Sequence, residues 1–154
     1  MTASDELHLN VAAGLLQIGE ALDAWHELEM IEAVNRASTE VLTVRMAVCR
    51  ALKQWELAGE IGRTLIKREP HNVMYVVTLA EVMGHHEGPV AAAAVYEFAI
   101  DCFPDFASLR VSLAVELVKA GQIEDAKHVV KTACDLDPDL RLVVLDHPGL
   151  SAIW

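Results

Sequence analysis

Apolar side chains recur along this chain at three- and four-residue spacing, the period of an α-helix with one buried face. Leu79, Met83, Tyr96 and Ile100 form one such set, and Leu113, Leu117, Ile123, Val129 and Val130 another. The runs are punctuated at a fixed interval. Pro70, Pro104 and Pro138 stand 34 residues apart, each after a helix-like stretch. A proline pushes the residue before it out of the helical region, so each ends a helix, and Asn72 or Asp105 is placed to cap the next. Taking the proline as position 32 of a repeat, the units run 5–38, 39–72, 73–106 and 107–140, with a tail over 141–154.

Other positions keep the same register. Position 20 holds Ala24, Ala58, Ala92 and Ala126, and position 8 holds Ala12, Met46, Ala80 and Ala114. Position 27 holds Ile31, Leu65, Ala99 and Ala133. Two antiparallel helices approach closely only where their facing side chains are small, so alanine at positions 8 and 20 predicts a tight crossing within each unit. Gly19 and Gly121 fall between the two helices of their units, where a positive φ is wanted. Each unit is therefore expected to be a helical hairpin.

The length of the unit and its order of residues resemble the tetratricopeptide repeat family. The third unit matches it at Leu79, Ala80, Ala92, Tyr96, Ala99 and Pro104, and the fourth at Leu113, Ala114, Gly121, Ala126, Ala133 and Pro138. The first unit departs from the pattern with Arg36 at the proline position. The second does so with Arg45 at the leucine position and Gly62 at the second aromatic one. The resemblance, which spans residues 5–140, implies an all-α fold, a right-handed α-solenoid of four hairpins in a single domain. Stacked units leave the last apolar face open, so the tail is expected to cap it, with Asp139 as a possible helix cap and Leu150, Ile153 and Trp154 extending the cover.

In that family the first helix of each unit lines a concave surface through positions 2, 5, 9, 12 and 13. Carried over residue by residue, the candidate partner-binding groove comprises Leu9, Ala13 and Leu16 from the first unit and Thr43, Ala47 and Arg50 from the second. The third supplies Met74, Val77, Glu81 and His85, and the fourth Val111, Val115 and Val118. This track is mostly apolar, and an apolar surface left unfilled by its own chain implies a partner. An amphipathic helix or an extended segment with regularly spaced anchors suits it. Alternatively, these residues pack against one another or against the tail. The family's grip on a free C-terminal carboxylate uses lysine, asparagine and arginine. Here Leu9, Ala13, Val44, Met74 and Thr78 stand in those places, which disfavours chaperone tails as ligands. Small acidic secretion chaperones built on the same repeat are a closer analogy.

Charge narrows the partner class. Lys and Arg number 12 against 23 Asp and Glu, a net −11, and such a surface repels nucleic acid and anionic lipid headgroups. The N-terminal residues lack the basic start and apolar run of a secretory signal, and no stretch approaches a membrane span. A cytoplasmic, non-enzymatic scaffold or small chaperone is expected, with a protein or peptide partner; a homodimer closed through the groove or the tail is the alternative.

Cys49, Cys102 and Cys134 are odd in number and widely spaced, which suggests free buried thiols in a reducing compartment. Glu81, His85, His86 and Glu87 invite a metal reading, but no HExxH spacing or cysteine pair accompanies them, and a His-His-Glu helix end is ordinarily solvated. No phosphate loop or nucleophile elbow is present, so no cofactor is expected. Trp55, at position 17, is expected to pack between units, whereas Trp25 follows a small position and, if exposed on the convex side, would mark a second interface.

Overall fold

The computed structural model describes residues 1–154 and contains helices and turns but no strand. It divides into two compact units, Met1–Pro70 and His71–Trp154. In the first, α1 (Ala3–Gln17) pairs with α2 (Ala21–Met30), and α3 (Thr39–Ala51) with α4 (Trp55–Arg68). In the second, α5 (Val73–His86) pairs with α6 (Pro89–Cys102), α6 packs on α7 (Ala107–Lys119), and α7 pairs with α8 (Ile123–Leu136). A short α9 (Leu140–Asp146) and a 3-10 helix over Pro148–Ile153 close the chain.

The alanines lie where a close helix crossing requires them. Ala24, Ala58, Ala92 and Ala126 are all buried, as are Ala12, Met46, Ala80 and Ala114. In the first unit Ala12, Ala24, Leu28, Ile31, Val41 and Val48 form one apolar cluster. An added Cβ at Gly84 would lie 3.3 Å from the Ala92 Cβ, so α5 and α6 meet with almost no spare room.

Three hairpin turns share one device. Gly19, Lys53 and Gly121 have φ of 89°, 57° and 81°, and the next residue in each case reaches back along the helix. Glu20 N–H bonds to the Leu15 carbonyl at 2.9 Å, Gln54 to Cys49 at 2.8 Å, and Gln122 to Leu117 at 2.9 Å. Each closes the carbonyls at a helix C-terminus through a left-handed residue. The third hairpin shifts the positive φ to Gly88, directly before Pro89 opens α6.

Asn72 caps α5, its side chain accepting the Met74 N–H at 3.2 Å. Asp105 does not cap α7, which starts at Ala107 with Phe106 at its N-cap and no side-chain bond there. Nor does Asp139 cap α9. Its backbone is already helical (φ −69°, ψ −20°), and its N–H is taken by Asp137 Oδ1 at 3.1 Å. The 3-10 helix packs on α7 and α8 and buries Leu150 and Ile153, while Trp154 remains 65% exposed.

The positions that depart from the repeat pattern have found other partners. Arg36, in place of a proline, donates from Nε to the Ile31 carbonyl at 2.7 Å and from Nη2 to the Glu29 carbonyl, holding the end of α2. Arg45, in place of a leucine, lies over the Trp25 ring with its guanidinium carbon 5.0 Å from the centroid. Glu29 bridges the two arginines, with Oε2 2.8 Å from Arg36 and Oε1 2.6 Å from Arg45. Trp25 is accordingly half-buried against the core rather than presented as a second interface.

Candidate protein-interaction surfaces

In the unit Met1–Pro70 the expected track runs along α1 and α3. Leu9 and Leu16 are half-buried and pack against the apolar cluster shared by the first hairpin and α3, so much of their surface is already used inside the fold. Ala13, Ala47 and Arg50 are half-buried and Thr43 is exposed, with its hydroxyl donating to the Thr39 carbonyl at 2.8 Å.

In the unit His71–Trp154 the track runs along α5 and α7 and differs between its ends. Met74 is 62% exposed at the start of α5, and Val77, one turn on, is half-buried. Glu81 and His85 continue the same face into a hollow of about 420 Å³ lined also by Gly84, Pro89, Glu116 and Lys119. Lys119 Nζ donates to Glu116 Oε1 at 2.7 Å across its α7 wall. This end of the track is polar. On α7 itself Val111 is buried and Val118 half-buried, while an added Cβ at Gly149 would sit 3.0 Å from Val115 Cγ1. The closing 3-10 helix thus lies against Val115 and occupies that part of α7's open face.

The side chains of the metal reading do not converge. Glu81 and His85 share the hollow, but no group of three or more His, Cys, Asp or Glu side chains is arranged to hold an ion. Of the cysteines only Cys49 is buried, and loss of hydration pushes its thiol up to about 11. Cys134 is half-buried, and Cys102, the last residue of α6, is exposed. Burial likewise raises the Tyr96 hydroxyl, reinforced by the negative charge of Glu81 and opposed by a hydrogen bond with Ser112.

A second concavity lies on the other side of α7. Two adjoining hollows, of about 230 and 430 Å³, share Glu97, Leu113, His128 and Val129 and run between α6 and α8. The family pattern directs attention to first helices only. The signal available in the sequence was the apolar stripe of α7 at Leu113 and Leu117 flanked by carboxylates on α6 and α8.

No helix is long and apolar enough to cross a membrane. No protein-family model matches the sequence, and no curated protein matches it. Solved structures do. MamA from residue 41 to its end, of Desulfovibrio magneticus RS-1, superposes with a TM-score of 0.76 at 20% identity over 99% of this chain and 85% of that one. A double mutant described as MamA RS-1 ArsTM gives 0.76 at 20% identity over 99% and 84%. MamA MSR-1 gives 0.74 at 18% identity, covering 88% of this chain and 78% of that chain. At these identities the likeness establishes the fold: the chain shares with MamA an all-helical, tetratricopeptide-like array of hairpins.

Proposed function

We propose that the chain is a non-enzymatic protein-interaction module, a scaffold or small chaperone, that receives a peptide or helix of a partner on the open faces of its hairpins' first helices. The observation that carries this reading is Met74. A large apolar side chain 62% exposed, with Val77 a turn away and the polar hollow of Glu81, His85 and Lys119 beyond, combines an apolar anchor with a polar border. Leu9, Ala13, Leu16, Thr43, Ala47 and Arg50 form the corresponding face of the first unit. On α7, Val118 contributes, whereas the burial of Val111 and the tail against Val115 narrow what that helix offers. The net charge of −11 turns nucleic acids and anionic lipids away and favours a protein partner.

Affinity purification from the native host, with the wild type beside a Met74→Glu/Val77→Asp variant, tests the reading. The variant is expected to keep its helical spectrum and lose the captured proteins. A folded variant that retains them removes this face from the function.

A second reading, self-assembly through the tail, is favoured by Leu142, Val143, Leu145 and Trp154, all exposed at the C-terminal end. Light scattering of the purified chain at tens of micromolar separates the two, since a monomer there excludes self-assembly.

A further inference from the structure

Beyond the first-helix faces, we infer that the channel between α6 and α8 is a docking site for a cationic amphipathic helix of a partner protein. Its floor is apolar and closed by Leu113 and Leu117 of α7, which are themselves buried, so the apolar surface a partner can reach comes from Val90, Ala94, Ile100 and Val129 on the walls. Along α6 the lining runs from Val90 to Asp101, eleven residue steps, which at 1.5 Å each is about 16 Å or three helical turns. A slot of that length between two helices matches the ridge of a third laid along it.

The rim says which helix. Glu97, Asp101 and Asp125 stand exposed along the channel, and none of the three is in an ion pair. The basic groups beside them are Arg110, which donates to the Pro104 carbonyl at 2.9 Å, and His128. Three unpaired carboxylates over an apolar floor complement a helix with leucine-like anchors on one face and lysine or arginine on its flanks. The whole-chain charge of −11 steers the same class of ligand toward it.

The test is a fluorescence-anisotropy titration of the full chain with two synthetic helices of about 14 residues, one of leucine and lysine and one of leucine and glutamate. The Leu/Lys helix is expected to bind at least roughly tenfold tighter, with affinity falling as salt is raised. Ala94→Trp fills the slot from an exposed position and is expected to abolish binding. Glu97→Gln/Asp101→Asn/Asp125→Asn should weaken it by roughly tenfold or more, and because all three residues are exposed this variant stays informative if Ala94→Trp fails to fold. Equal binding of the two helices, or Leu/Lys binding that survives either folded variant, overturns the inference. So does a homodimer that Ala94→Trp dissolves, which would make a second copy the occupant. None of these outcomes depends on Met74 or Val77, so this inference and the first-helix reading stand or fall separately.

Discussion

The Asp5 carboxylate accepts the backbone N–H of Glu32 at 2.8 Å, joining the first turn of α1 to the segment that leaves α2. Its other oxygen takes the Asn35 amide at 2.8 Å and the Thr2 N–H at 3.0 Å and hydroxyl at 2.8 Å. Asp5 is the one charged residue in the structure that is buried, and the backbone N–H of Glu32, then that of Thr2, hold its carboxyl well below the usual aspartate range. A depressed native pKa means that the stabilisation is complete above the unfolded value, about 3.9, and is lost as pH falls below it. Asp5→Ala should therefore lower the thermal midpoint at pH 7, and its gap from the wild type should narrow below about pH 4. A gap that stays constant across that range contradicts the account.

Ala92 and Ala126 are fully buried within their helix pairs, and an added Cβ at Gly84 would lie only 3.3 Å from the Ala92 Cβ. Replacing either with leucine adds volume where none is free, and each is expected to cost on the order of 1–3 kcal/mol by overpacking. Chemical denaturation measures it; a change near zero at both positions would mean that the helices are not in tight contact there.

Lys53 adopts the left-handed conformation that Gly19 and Gly121 provide in the equivalent turns. A side chain there costs about 1–2 kcal/mol, part of which glycine returns as unfolded-chain entropy. Lys53→Gly should raise stability by up to about 1 kcal/mol. A destabilised variant would show that the lysine side chain does something the turn needs.

Arg36 holds the end of α2 through two backbone carbonyls and Glu29. Arg36→Ala should cost about 1.5–3 kcal/mol, the usual range for lost hydrogen bonds to a charged donor, and hydrogen exchange should rise first at the C-terminus of α2.

Thiol labelling should separate the cysteines. Cys102 is expected to react in the native protein, while Cys49, buried and with its thiol pushed up to about 11, should react only on unfolding. Native labelling of Cys49 would contradict the closed first unit.

The hairpins, their small crossing residues and two of the left-handed turns were legible because each depends on local spacing. The alanines at position 20 and Gly19 and Gly121 state their requirement in their own chemistry. Arg36 and Lys53 were not legible as repeat residues, since an arginine that closes a helix and a lysine at positive φ look like ordinary surface charges until their backbone is seen. Side chains assigned to a groove, Leu9, Leu16 and Val111 among them, are engaged by the fold, because apolar periodicity does not tell an inner wall from a helix contact. The α6–α8 channel depends on how far two helices that are not adjacent in sequence stand apart, which no local spacing encodes.

The turn at Gly149 against Val115 carries an implication for biosynthesis. α7 leaves the ribosome well before the residues that shield it, so during translation its hydrophobic flank waits uncovered for a latch not yet made. Anything that stalls or trims the nascent chain ahead of Leu150 would leave a sticky intermediate, and quality control in the cell would meet that species rather than the sealed protein.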